Sequence, residues 1–239
     1  QWSESSDFST TVTDVVNTTT SLTATNLTVT RYYRAVVTSG VCAPAYSSTA
    51  TITISQASNG GSVGTDATVC SGNNSTLLTL IDQSGTISKW QWSSTSDFSS
   101  NVNDIVNTTT GYTATNLTAT RYYRALITNG ACSTYSATGT ITVSPAATGG
   151  TAAGTATVCA GTNSTSLSVS GYSGSLQWQS STDNINFNDI SGAISTPYSA
   201  TNLNATTYYR VKVTSGACTA YSTTVTITVN QTSVGGAVA

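Results

Sequence analysis

The sequence predicts an all-β chain built from tandem sandwich modules, and three observations carry that expectation. The first is a repeat. The run Gln1 to Cys42 recurs without a gap as Gln91 to Cys132, with 29 of 42 positions identical, and a more divergent copy runs from Gln177 to Cys218. A period of 90 and then 86 residues is too long for a solenoid unit and suits a small β-sandwich. The second is period-two alternation, clearest where Tyr123, Ala125 and Ile127 interleave with Tyr122, Arg124 and Leu126. The third is composition: Val, Ile, Thr and Tyr are abundant, and no stretch sustains a helical apolar period.

The repeat divides the chain into residues 1–55, the C-terminal part of a first module, 56–145, a second module, and 146–230, a third. Residues 231–239 resemble the start of a further module. Both ends read as cut from a longer polypeptide, so a signal peptide or anchor would lie outside this stretch.

In the second module Ser75 to Ile81 reads as a strand with Leu78 and Leu80 on one face, matched by Leu167 and Val169 in the third. After a Gln-Ser-Gly turn, Thr86 to Ser93 forms the next strand. Its Trp90 and Trp92 alternate with Lys89 and Gln91, and period-two spacing puts both rings on one face. The third module shows Leu176 and Trp178 there, which favours a buried face over a sugar-stacking platform. Trp2, Trp92 and Trp178 are therefore expected in the core. A hairpin follows from Arg121 to Ser144. It turns at Asn129-Gly130 (Ser39-Gly40 and Ser215-Gly216 in the other copies) and closes on Thr-Ile-Thr-Val, apolar in and Thr out.

Ahead of that hairpin each copy has a Leu six residues before a Tyr: Leu27 and Tyr33, Leu117 and Tyr123, Leu203 and Tyr209. The spacing resembles the tyrosine corner of fibronectin type III and immunoglobulin-like sandwiches, whose hydroxyl bonds back to the chain. Tyr33, Tyr123 and Tyr209 would then point inward. The outward pairs Tyr32/Arg34, Tyr122/Arg124 and Tyr208/Arg210 would form a surface ladder with a cation resting on a ring, or a stripe contacting ligand.

Five cysteines occupy two kinds of position: Cys70 and Cys159 before a strand, and Cys42, Cys132 and Cys218 after the hairpin turn. A recurring pair per module points to structural disulfides and an oxidising, extracellular setting. Two pairings are open. Bridges inside each module would join Cys70 to Cys132 and Cys159 to Cys218, leaving the partner of Cys42 outside the chain. Those positions lie at opposite ends of a sandwich, roughly 20–30 Å apart by strand length, and a bridge needs Cα atoms within about 7 Å. In a head-to-tail array the alternative bridge is Cys70 to Cys218, with Cys42 and Cys132 reaching upstream and Cys159 downstream.

Charged residues make up 7% of the chain, the net charge is −2, and there is no His. That excludes a basic nucleic-acid footprint and any His-dependent triad, and no apolar run is long enough to span a membrane. No catalytic residues are expected. Two Asp per module, at Asp7/Asp14, Asp97/Asp104 and Asp183/Asp189, lack a dense oxygen-ligand pattern. They read as turn residues, with calcium the one metal they would suit and no other cofactor implied. Gly60-Gly61, Gly149-Gly150 and Gly235-Gly236 read as joints between modules.

Val-Cys-x-Gly, Trp-Gln-x-Ser, Ala-Thr-Asn-Leu, Tyr-Tyr-Arg, Ser/Asn-Gly-x-Cys and Thr-Ile-Thr-Val together resemble the immunoglobulin-like repeats of very large Bacteroidetes surface proteins, above all gliding-motility adhesins of the SprB type. The resemblance covers the whole chain. It implies export by type 9 secretion, display outside the bacterial outer membrane, and attachment to extracellular polysaccharide or an abiotic surface. It supplies no catalytic residues. The expectation is thus a head-to-tail rod of immunoglobulin-like or fibronectin-III-like modules, partnered by neighbouring repeats, acting as an adhesin stalk. The alternative is a carbohydrate-binding or accessory module of a secreted polysaccharide-degrading protein.

Overall fold

A computed structural model describes residues 1–64, 66–233 and 235–236. The first module contributes β1 (Trp2–Ser3), β2 (Arg31–Tyr33), β3 (Val36–Val37), β4 (Ala45–Tyr46) and β5 (Ala50–Ile52). The second contributes β6 (Ser62–Gly64), β7 (Ala67–Cys70), β8 (Ser75–Ile81), β9 (Thr86–Ser93), β10 (Asn103–Ile105), β11 (Gly111–Thr115), β12 (Arg121–Asn129), β13 (Cys132–Tyr135) and β14 (Gly139–Ser144). The third repeats that series as β15 (Thr151–Ala153), β16 (Ala156–Cys159), β17 (Ser164–Ser170), β18 (Ser175–Ser181), β19 (Asn188–Asp189), β20 (Tyr198–Thr201), β21 (Thr207–Ser215), β22 (Cys218–Tyr221) and β23 (Val225–Asn230). No helix is present among the described residues, so the chain is all-β.

Each complete module is a sandwich of two sheets. In the second, β10-β9-β12-β14-β7 faces β11-β8-β6, with β13 continuing the hairpin from β12. In the third, β16-β23-β21-β18-β19 faces β15-β17-β20. Strands pair antiparallel except at one edge, where β7 runs parallel to β14 and β16 parallel to β23. That exception matters later, because it sets Cys70 beside Ser144 and Cys159 beside Asn230 at the ends of paired strands.

Alternation decides which residues fill the gap between sheets. Leu78 and Leu80 meet Trp90, Tyr123, Ala125, Ile127 and Ile141 in one core, and Leu167 and Val169 meet Trp178, Tyr209, Val211, Val213 and Ile227 in the other. The indole N–H of Trp90 donates to the Thr109 carbonyl at 3.0 Å, and that of Trp178 to Ser195 at 3.0 Å, so neither polar handle is left unpaired.

The structure corrects the tryptophan register. The fully buried residue of the second module is Trp90, and its counterpart in the third is Trp178. Trp92 is half-buried at the edge of the core. The pairing shows the shift: Ala125 lies opposite Trp90 and Tyr123 opposite Trp92, whereas their counterparts Val211 and Tyr209 lie opposite Trp178 and Ser180. Gln179, opposite Arg210, rather than Gln177 therefore stands where Gln91 stands opposite Arg124, and β9 differs from β18 further by a bulge that leaves Ser88 unpaired.

The first module has only the β1-β2-β5 sheet and the β3-β4 ribbon among the described residues. With no second sheet over it, Val37 is 61% exposed where the equivalent Ile127 is 0% exposed. Tyr33 is accordingly half-buried where Tyr123 is core, and Trp2 is half-buried like its counterpart Trp92. Of the segment 231–239, Val234 and residues 237–239 lie outside the described residues, and the rest forms no strand.

The tyrosine-corner expectation holds for packing and not for bonding. Tyr123 and Tyr209 are buried beside Leu117 and Leu203, but no hydrogen bond from either hydroxyl is present among the described residues. The corner is held instead by Asn74, whose side-chain amide donates to the carbonyls of Cys70 and Leu117 and whose oxygen accepts from the Leu117 N–H at 2.9 Å. Asn163 does the same for Cys159 and Leu203. A Cys-x-Gly-x-Asn spacing common to both copies was the available signal.

Candidate functional site at the module joint

Two recurring constellations stand out, one on the outer face of the large sheet and one where modules meet. On the outer face, the Arg124 guanidinium lies between the rings of Phe98 at 4.0 Å and Tyr135 at 3.7 Å. Its Nε donates to the Gln91 side-chain carbonyl at 2.9 Å, and the Gln91 amide donates to Asp104 at 2.7 Å. The third module repeats the set as Arg210 with Phe187, Tyr221, Gln179 and Asp189. The first has Arg34 with Phe8, Tyr46 and Gln1. The cation does rest on rings, but they are not those of Tyr32, Tyr122 or Tyr208. Both guanidinium faces are occupied by the protein itself, which makes the stack a packing device.

A second pair varies between copies in step. Arg121 covers Trp92 at 3.2 Å and Arg31 covers Trp2 at 3.4 Å. The third module has Ser180 and Thr207 at these positions, so ring and cation are absent together.

The carboxylates are held by local hydrogen bonds. Ser5 and Ser9 bring Asp7 down to about 2, and Ser99 lowers Asp97. Backbone N–H groups of Asn186 and Ile185 hold Asp183 well below the usual range. Hydrogen bonds from Lys89 and Gln91 lower Asp104, and from Gln179 and Lys212 lower Asp189. No group of three or more His, Cys, Asp or Glu arranged to hold a metal is present among the described residues. No helix among them is long and apolar enough to cross a membrane.

At the joint, Ser144 ends β14 and receives the β21–β22 hairpin of the next module. The Ala217 N–H donates to Ser144 Oγ at 3.3 Å, and Cys218 Sγ sits 3.7 Å from the Ser144 carbonyl. One joint earlier the geometry repeats: the Ala131 N–H donates to Ser55 Oγ at 3.0 Å and Cys132 Sγ lies 3.8 Å from the Ser55 carbonyl. Gly130 and Gly216 adopt φ of +59° and +55°, and a Cβ on either would collide with the serine hydroxyl. Glycine is thus required twice over, by the turn and by the close approach. Gly60 and Gly149 are not at this contact; each abuts the backbone of Tyr135 or Tyr221 within its own module.

The parallel pair of β7 and β14 carries Cys70 to the same joint. Cys70 and Cys218 form a disulfide with Cα atoms 5.3 Å apart across 148 residues of sequence. The bridge therefore joins two modules, and the within-module pairings Cys70–Cys132 and Cys159–Cys218 are replaced. Cys42 and Cys159 are exposed thiols and Cys132 is half-buried.

This recurrence agrees with comparison to known sequences. Residues 1–56, 59–145 and 148–231 each match the family described as Domain of unknown function (DUF8696). The chain belongs to that family. No curated protein matches it. Solved structures with some likeness to these DUF8696 repeats include the fibronectin(III)-like modules of Clostridium thermocellum CbhA, 14% identical, covering 70% of this chain and 90% of that one at a TM-score of 0.38. Murine CEACAM1b is 12% identical, covering 68% and 96% at 0.44. The FN1-FN3 domains of chicken CNTN1 are 12% identical, covering 83% and 75% at 0.40.

Proposed function

We propose that this chain is a non-catalytic spacer segment of a long secreted adhesin, displayed on the outer surface of a bacterium and exported by type 9 secretion. Its partners are neighbouring repeats of the same polypeptide, and we extend the proposal to gliding attachment on the resemblance of the repeat motifs alone. The observation that carries the reading is the joint. The same serine–glycine–cysteine contact forms at two successive module boundaries, and one of the two is closed by a disulfide. A defined, repeated joint suits a part whose job is to hold length and direction, because stability in such arrays sums module and interface terms.

One observation favours carbohydrate binding instead. Tyr46, Tyr135 and Tyr221 recur on the outer face and are 52%, 43% and 50% exposed. Each already covers an arginine, which is why we place this reading second.

Binding of the purified chain to a panel of polysaccharides and solid surfaces, with and without calcium, separates the two. No saturable binding supports the spacer. Saturable binding abolished by Tyr46→Ala combined with Tyr135→Ala and Tyr221→Ala would replace it with a weak, multivalent adhesive.

A further inference from the structure

We propose that the Cys70–Cys218 bridge is a tension shunt: load applied along the chain crosses between modules through the disulfide and bypasses β8 to β21, which hold the bulk of both sandwich cores. The argument starts from connectivity. A pull on the N-terminal side reaches Cys70 after passing along β6 and β7, and the bridge hands it to Cys218, from which it leaves along β22 and β23. The 148 residues of sequence separation between the two cysteines hang from the joint as a closed loop under no tension. That loop contains Trp90, Tyr123, Trp178 and Tyr209, the centres of both cores.

The loaded strands have almost no slack to give. A β-strand already rises about 3.3 Å per residue, close to the limit of about 3.3–3.6 Å for a fully extended chain. Without the bridge the outcome differs. The two cysteine Cα atoms start 5.3 Å apart, and unfolding lets the 148-residue separation run out to about 500 Å. The disulfide is thus the difference between a joint that holds its length and one that pays out two modules of chain. Cys132, seated against Ser55 as Cys218 is against Ser144, occupies the equivalent position one joint earlier.

The value of this device to the molecule rests on the spacer reading; the bypass itself rests on the bridge alone. The two fail separately, because saturable polysaccharide binding would displace the spacer without altering the load path.

Single-molecule stretching of the whole chain between handles at its two termini tests the shunt. The oxidised protein is expected to release no length from between Cys70 and Cys218. Adding a thiol reductant to the folded, tethered molecule is expected to add about 500 Å, released in two steps as the second and third modules open. Cys70→Ser behaves like the reduced chain and Cys132→Ser like the oxidised parent. Because the reductant arm begins from folded protein, it reads out even if Cys70→Ser folds poorly. Release of that length by the oxidised chain, or no gain on reduction, would overturn the proposal.

Discussion

Lys89 and Lys212 reach equivalent carboxylates from opposite strands. Lys89 stands on β9 and bonds Asp104 at 2.6 Å, while Lys212 stands on β21 and bonds Asp189 at 3.2 Å. Cross-strand pairing explains the exchange: Lys89 lies opposite Leu126, and Gln177 opposite Lys212, so the ammonium has moved to the adjacent strand without leaving its acid. The copies therefore conserve a charge contact while moving the residue that makes it. Transplanting the third arrangement into the second module, as Lys89→Gln with Leu126→Lys, is expected to leave Tm within about 2 °C of the parent. A larger drop in calorimetry would show that the two sheets are not interchangeable.

The arginine stack predicts a stability defect rather than a binding defect. Arg124→Ala removes a guanidinium held by two rings and a glutamine, and is expected to cost about 1–2 kcal/mol in denaturant unfolding. Arg124→Lys should recover only part of that, because an ammonium lacks the planar fork that stacks and donates from Nε. An unfolding midpoint unchanged in both variants would assign Arg124 to the solvent.

Trp90 and Trp92 separate by the same kind of measurement. Trp90→Ala empties a fully buried site and is expected to cost about 3–5 kcal/mol. Trp92→Ala loses edge packing and the cation of Arg121, about 1–2 kcal/mol. The reverse order would restore Trp92 to the core.

Titration gives a flat-topped stability profile. Asp7, Asp97, Asp104, Asp183 and Asp189 all have folded pKa values below the ordinary 3.8, so the stability they add is present above that value and is lost as pH falls through the lowered ones. Burial raises Tyr123 and Tyr209 from 10.0 to about 12, so their contribution is complete below pH 10 and disappears between 10 and about 12. With no histidine in the chain, Tm is expected to hold steady from about pH 5 to 9. Thermal scans across pH check this, and a transition near neutrality would contradict it.

Much of the fold was legible because strands with a period of two show their inward face in sequence, as Tyr123, Ala125 and Ile127 do. The tryptophan register was not. Gln91-Trp92 and Gln177-Trp178 look like the same dipeptide, and only the pairing of Arg124 with Gln91 and of Arg210 with Gln179 shows that they are two residues out of step. The arginine stack was hidden for a different reason. Phe98 and Tyr135 lie far from Arg124 in sequence, and they reach it only because the β9 loop folds over the sheet and β13 sets Tyr135 opposite Leu126. The joint was half legible: cysteine spacing made Cys70–Cys218 one of two options, but nothing in the sequence announced that Ser55 and Ser144 are the seats for the hairpin.

The measurement that tests the stapled joint most directly is a peptide map of the oxidised chain under non-reducing conditions. The account predicts a single species linking the Cys70 peptide to the Cys218 peptide, lost on reduction. A Cys70–Cys132 or Cys159–Cys218 species in its place would contradict it, returning the bridges to the interior of each module and leaving the joint without its covalent tie.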